Sequence, residues 1–338
     1  MREAHGAVVR SIEDTKSDGV ECIVNFTGGT KLMSIGAYVA ALNNKTASLY
    51  VDSQEAVFVD GQTGDGLETW FKGDLSFTPI LRSLSVHAVA KANGCPRVTG
   101  GRDWKKMLPL ALLLFQDREL ENSTHKAIHG PEGLCPNGRE PRKYPDWMQL
   151  LSRKIALHPQ VATAAGETGL LEPGPKPGPC LFPRSFQEKM KRLTSKGGFE
   201  FFKAIEPIQQ TLGFLSGGWW EVVVLQKMVE TGRFRDVRWS VNVGQRGGAD
   251  LEEDIVALDG VQITYVSCKR GGQGSRLLPL LDEVRARAQT LGGTFTRCFL
   301  AIYQKPTGST LANLLNRAKS LRIKLLFPEN FSDPDPFL

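Results

Sequence analysis

No run in the sequence approaches the roughly 18–20 uncharged apolar residues that span a bilayer. The N-terminal segment MREAHGAVVRSIEDTK also lacks the apolar stretch of a signal peptide. A membrane or secreted protein is therefore not expected, and the expected compartment is the cytoplasm. The six cysteines form no CxxC pair, and in a chain of 338 residues, long enough to build its own cores, they read as reduced thiols. Regular zinc-ligand spacing is missing as well. His125, His129 and Cys135 lie close together and Cys180 is distant, which suits ordinary loop residues better than a structural zinc. There are no internal repeats and no coiled-coil heptads, so neither a solenoid nor a long rod is expected. Charge of neither sign dominates: 42 Lys and Arg against 36 Asp and Glu leave +6, which permits binding to a polyanion without requiring it.

What remains is a folded α/β protein. Apolar residues at 41% and charged residues at 23% suffice for real cores, and the length favours two domains, or three if one is small. Residues 1–18 read as a helix, Glu21–Phe26 as a strand, Lys31–Leu42 as a helix, and Ala47–Asp52 and Ala56–Val59 as strands. Residues 86–160 read as mostly helical. The run GETGLLEPGPKPGPC, within 165–183, concentrates glycine and proline and is expected to be a loop or linker. From about 206 the pattern returns to α/β. Helices are expected near 219–229, 277–291 and 309–320, and strands near 237–243, 252–258, 261–268, 295–303 and 322–327. The resulting division is 1–85, 86–205 and 206–338.

Thr27-Gly28-Gly29-Thr30-Lys31 falls between an apolar strand and a helix. Free backbone amides at a helix start, glycines that allow close approach, hydroxyls and a lysine make an anion site where open α/β sheets bind ligands. A tight structural turn is the plain alternative. The motif is neither a G-x-x-x-x-G-K-[ST] loop nor G-x-G-x-x-G, so ATP hydrolysis and dinucleotide binding are not supported. In its context, Asn25 to Met33, the segment resembles the N-x-TGGTK-x-M signature of CARF domains. In particular it is similar to those of ancillary nucleases of type III CRISPR systems, in which a CARF sensor is joined to a restriction-endonuclease-like effector. The resemblance implies a partial Rossmann-like sensor for cyclic oligoadenylate, most simply cyclic tetra-adenylate, bound across a homodimer interface by Thr27, Gly28, Gly29, Thr30 and Lys31. Because the family places a strand, a helix and a second strand before this motif, the sensor is expected to be shortened at its N-terminus.

Glu252-Glu253-Asp254 opens a strand that runs to Asp259-Gly260, and a second strand ends in Ser267-Cys268-Lys269. Asp-Gly between apolar runs signals a two-residue hairpin. Pairing Leu258 with Val261 would set Asp254 opposite Tyr265 and Glu252 opposite Ser267, and strand alternation would gather Glu252, Asp254, Ser267 and Lys269 on one face. Carboxylates and a lysine on adjoining strands can hold a hard divalent cation and steady developing charge at a phosphodiester. An acidic strand edge balanced by a lysine is the plain alternative. The pattern also resembles the PD-(D/E)xK nuclease motif, with Asp254 as metal ligand and Lys269 as catalytic lysine. Ser267 stands where that motif has Glu or Asp, and Glu252 could compensate.

Phe214-Leu215-Ser216-Gly217-Gly218-Trp219-Trp220-Glu221 resembles the F-L-x-G-x-W-L-E segment of the same nucleases, which implies that Glu221 is an active-site carboxylate. From the resemblance follow a Mg²⁺ or Mn²⁺ ion held by Glu221, Asp254 and the Cys268 carbonyl, and a DNA or RNA substrate. A cationic surface would include Lys269 to Arg276 with Arg233, Arg235, Arg238, Arg285 and Arg287. The rival expectation is a nucleotide sensor whose nuclease domain has decayed, with Ser267 as the mark of decay.

Overall fold

Apolar residues repeating along 235–269 and 297–326 build the main sheet, because successive strand side chains face opposite sides and both sides are covered here. The structure, a computed structural model, describes all residues except 1, 18–22, 26–30, 53–56, 61–84, 93–94, 96, 102, 137–140, 142, 175–178, 194–197, 245–250, 261 and 272–273. The chain divides into two compact units, Met1–Ser83 and Leu84–Leu338.

In the first unit, α1 (Arg2–Ser17) precedes β1 (Ile23–Asn25), α2 (Lys31–Asn43), β2 (Ala47–Asp52) and β3 (Val57–Asp60). β1 and β2 pair in parallel across α2, and β3 adds antiparallel to β2. This is a βαβ unit with one extra strand, and its small core gathers Ile12, Val24 and Ala41. The helices and strands stand where the sequence places them. The ligand-binding candidates Thr27, Gly28, Gly29 and Thr30 lie outside the described residues, between the end of β1 and the start of α2, and Lys31 opens α2.

The second unit holds α3 (Val86–Ala92), β4 (Arg97–Gly100), α4 (Trp104–Gln116), α5 (Arg118–His129), α6 (Tyr144–Ser152), β5 (Ile155–Ala156), α7 (Pro159–Thr168), β6 (Glu172–Pro173), β7 (Pro179–Leu181), α8 (Arg184–Lys191) and α9 (Gly198–Gly213). A π-helical turn, Phe214–Gly218, leads into α10 (Trp219–Glu230). Then follow β8 (Arg235–Gly244), β9 (Leu251–Asp259), β10 (Gln262–Lys269), α11 (Gly274–Gly292), β11 (Arg297–Ile302), α12 (Gly308–Ser320) and β12 (Ile323–Leu326).

Six strands form a mixed sheet in the order β12-β11-β10-β9-β8-β4. Parallel pairing of β10, β11 and β12 uses α11 and α12 as crossovers, and these helices cover one face through Leu277, Leu281, Val284, Ala288, Leu314 and Ala318. The other face packs on α10, which buries Trp219, Trp220, Val222, Val223, Val224, Leu225 and Met228, the signature of a helix enclosed on all sides. Trp220 donates its indole N–H to the Ala301 carbonyl at 3.1 Å, so the helix is pinned to β11 as well as packed on it.

Residues 86–205, expected as a connector, share this core: Leu110, Leu114, Ile128, Trp147 and Val161 pack in one cluster with Trp219 and Trp220. The expected helical stretch also contains β4, which pairs with β8 at the sheet edge, a partnership across more than a hundred residues that no local pattern signals. The described residues of the expected 165–183 linker likewise hold regular elements. α7 ends at Gly169, whose φ of +75° suits a left-handed cap, and β6 and β7 then pair antiparallel. Pro179 is tolerated as the first residue of β7, and Cys180 and Phe182 are buried.

Candidate active site

The β9–β10 hairpin pairs Asp259 with Gln262 and Val256 with Tyr265, a register two residues away from the expected one. Gly260, with φ of +62°, is the first loop residue, and Asp259 belongs to the strand because Arg233 and Arg297 both bind its carboxylate. A slip of two leaves every side chain on its original face, so the expected gathering survives although the partners change.

The last β9–β10 pair is Ile255 with Val266. Beyond it the Asp254 carboxylate takes over from the backbone. Its Oδ2 accepts the Cys268 N–H at 2.6 Å, the Ser267 hydroxyl at 3.1 Å and the Lys269 ammonium at 3.1 Å. Cys268 therefore enters the site through its N–H, and burial pushes its thiol well above the ordinary range, so it stays neutral. Lys269 is 39% exposed and Asp254 only 19%, which puts the ammonium within reach of a substrate and the carboxylate behind it. Burial opposes the Lys269 charge, but Asp254 and its hydrogen bond outweigh that and raise the pKa above the usual lysine value.

Glu252 does not face Ser267. It pairs across with Asn242 of β8, and its carboxylate accepts the Ser240 hydroxyl. The expected pairing of Glu252 with Ser267 is thus corrected: Ser267 donates to Asp254, and Glu252 reaches Ser267 only as a neighbour lining the same small cavity. Ser240 has φ of +54°, unusual for a residue with a side chain, at the point where β8 presents Trp239 and Ser240 to the carboxylates. Trp239 donates its indole N–H to Glu221 Oε2 at 2.7 Å.

Glu221 stands in the first turn of α10. Its pKa is pushed up to about 8, chiefly by burial and then by the charges of Asp254 and Glu252, while the Trp239 bond and Lys269 act the other way. Glu221, Glu252 and Asp254 share a cavity of about 530 Å³ with Trp239, Ser240 and Asn242. A smaller cavity of about 150 Å³ is lined by Ser267 and Lys269, and Asp254 and Glu252 border both. All five expected catalytic residues are thus brought together. Trp239 and Ser240 were not legible beforehand. Their signal, a polar group interrupting an apolar strand, is common and carries no chemistry by itself.

Each of the five arginines expected on the cationic surface is half-buried and has a partner within the fold. Arg233 binds Asp259 and Asp335, Arg235 donates to the Gly260 carbonyl, and Arg238 pairs with Asp236. Arg285 donates to the Thr296 carbonyl, and Arg287 pairs with Glu253 and Glu283. Arg233, Arg285 and Arg287 thereby tie separate segments together, whereas Arg238 bonds within its own strand. In the loop after Lys269, Gly272 and Gln273 are not among the described residues, and Arg270 is turned inward to Glu121. His129 lies against Ser216 and the Cys135 carbonyl, and Cys180 is buried beside the Ala162 carbonyl.

The carboxylates of Glu221, Glu252 and Asp254 around one cavity are a hard-oxygen donor set that fits a divalent cation by chemistry. Among the described residues, no group of three His, Cys, Asp or Glu side chains is already closed around a metal-sized position.

A mixed sheet between helical layers, with carboxylates and a lysine at the open end of a central hairpin, defines the second unit as an α/β domain. Residues 209–334 match the family model for the endonuclease domain of Card1-like proteins. Two solved structures share the fold of the chain. One is Can2 from Sulfobacillus thermosulfidooxidans in complex with cyclic tetra-adenylate, at 16% identity and TM-score 0.53, covering 95% of this chain and 75% of that one. The other is protein VC1899 from Vibrio cholerae, at 15% identity and TM-score 0.55, covering 98% and 78%. No curated protein sequence matches the chain significantly. These findings support the resemblance to CARF-associated ancillary nucleases.

Proposed function

We propose that the protein is an endonuclease of type III CRISPR defence, dependent on a divalent metal and switched on by cyclic oligoadenylate. The observation that carries this reading is the convergence of Asp254, Lys269 and Glu221 within the segment that matches an endonuclease family. Residues 1–85 would be the sensor, with Thr27 to Lys31 at the ligand, and 206–338 the nuclease domain, with helices of 86–205 built into the same core. A cyclic tetra-adenylate-bound structure of the same fold supports that choice of activator. A homodimer agrees with α2, on which Met33, Ile35, Val39 and Leu42 are exposed. No helix among the described residues is long and apolar enough to cross a membrane, which agrees with a cytoplasmic enzyme.

Glu221, Asp254 and the Cys268 carbonyl would hold Mg²⁺ or Mn²⁺, which supplies an activated water and offsets charge on the scissile phosphate. Asp254 is fixed for that role by its three donors, which leave Oδ1 free of the contacts that Oδ2 makes. Lys269 presents its ammonium at the same point, where it steadies the charge that develops on the phosphate or orients the water. Glu252, held by Ser240, completes the acidic wall.

The test is cleavage of supercoiled plasmid and of labelled single-stranded DNA and RNA in Mg²⁺ or Mn²⁺, with and without cyclic tetra-adenylate. Cutting that needs both metal and activator, stops with EDTA and is lost in Asp254→Ala and Lys269→Ala is the expected result. Absence of cutting by folded protein in every condition would leave the decayed-effector reading, and cutting without activator would remove the switch.

A further inference from the structure

Helix α5 lies outside the segment that matches the endonuclease family, yet it reaches both halves of the active site. From its first turn, Glu121 meets the guanidinium of Arg270, the residue after Lys269. Nε binds one carboxylate oxygen and the terminal nitrogen binds the other at 3.2 Å, a two-point contact that fixes orientation as well as distance. The Glu121 side chain is only 1% exposed and that of Arg270 17%, so the pair is largely withdrawn from water. From its last turn, His129 places Nε2 at 2.8 Å from the Ser216 hydroxyl, in the π-helical turn that precedes Glu221. Ser216 gives its own proton to the Leu212 carbonyl at 2.6 Å, so the hydroxyl is held between that carbonyl and the imidazole.

The two anchored segments also touch each other. A Cβ on Gly217 would lie 3.2 Å from the Arg270 Cβ, so the π turn and the end of β10 meet with room for a glycine and little more. Backbone bonds from Tyr303 to the Lys269 carbonyl at 2.9 Å and from Gln304 to the Arg270 carbonyl at 2.6 Å tie the same strand end to the chain after β11.

We propose that Glu121 and His129 are positioning residues of the nuclease: one helix grips the strand end that carries Lys269 and the turn that carries Glu221, and so sets their separation. This rests on the nuclease reading above. Catalytic groups displaced by about an ångström lose up to about a hundredfold in rate, whereas substrate binding along the surface is untouched.

The experiment compares wild type with Glu121→Gln, the double variant Glu121→Gln/Arg270→Gln, and His129→Ala. The double variant guards against misfolding from a lone buried charge. Steady-state cleavage is measured beside hydrogen–deuterium exchange of peptides covering 214–221 and 266–271, with 297–302 as internal reference. The expected result is a fall in kcat of about ten- to a hundredfold with KM within about twofold. Faster exchange should appear in both site peptides and not in the reference. Unchanged exchange at both segments, or unchanged kcat despite faster exchange, would overturn the proposal. Should wild type not cut any substrate, the nuclease reading falls, and the exchange data alone decide whether α5 braces the two segments.

Discussion

The Lys269 ammonium lies 3.1 Å from Asp254 Oδ2, bonded to the side of the carboxylate that also holds the strand end. The lysine is therefore aimed by the same atom that closes the β9–β10 hairpin. Replacing Lys269 with alanine should reduce cleavage at least about a hundredfold while leaving nucleic-acid binding nearly intact, since the group acts on developing charge. Gel-shift and single-turnover assays on the same substrate separate the two effects.

Ser267 donates to that same oxygen. Ser267→Ala should slow cleavage about tenfold, because Asp254 keeps its other two donors and loses one hydrogen bond to its carboxylate, worth about 1.5 kcal/mol. Ser267→Asp adds a hard oxygen donor beside Asp254 and should lower the metal concentration needed for half-maximal rate. A loss as large as that of Lys269→Ala would instead make Ser267 a direct participant in the chemistry.

Glu252 is tied to Ser240 on β8 and borders the same cavities as Asp254. Glu252→Gln should therefore cost less than Asp254→Asn, and Ser240→Ala should give a similar small loss, since both remove one hydrogen-bonded wall of the site. A metal titration of all three variants ranks them.

Glu221 has a pKa raised to about 8 in the folded chain, against an ordinary carboxylate value of 4.5. Between those values the folded state binds more protons than the unfolded one, so this group's contribution to stability falls as pH rises from about 4.5 to about 8. Glu221→Gln removes the effect. In metal-free buffer the variant should melt near wild type at pH 5 and several degrees above it at pH 8.5. Equal shifts at both pH values would show that Glu221 keeps an ordinary pKa.

Much of the fold was legible because its signals are local. The apolar pairs and single glycine of the hairpin marked β9 and β10, the run from Trp219 marked α10, and the strand–TGGT–helix order marked the first unit. The gathering of Asp254, Ser267 and Lys269 also followed from alternation alone, and it held even though the register differed by two, since an even slip preserves the face. The partners of the arginines were not legible for the opposite reason. A guanidinium's role depends on which acceptor lies within reach, and Asp259, Asp335 and Glu253 come near Arg233, Arg297 and Arg287 only through folding.

By itself, then, the sequence determined which residues could carry phosphodiester chemistry and which strands would bear them, because residue type and period-two alternation are properties of short segments. The tertiary structure decided the rest: that Trp239 and Ser240 hold Glu221 and Glu252, that β4 closes the sheet beside β8, and that Glu121 reaches Arg270 across 149 residues. Such contacts arise from the packing of distant elements into one core, and nothing in the spacing along the chain encodes them.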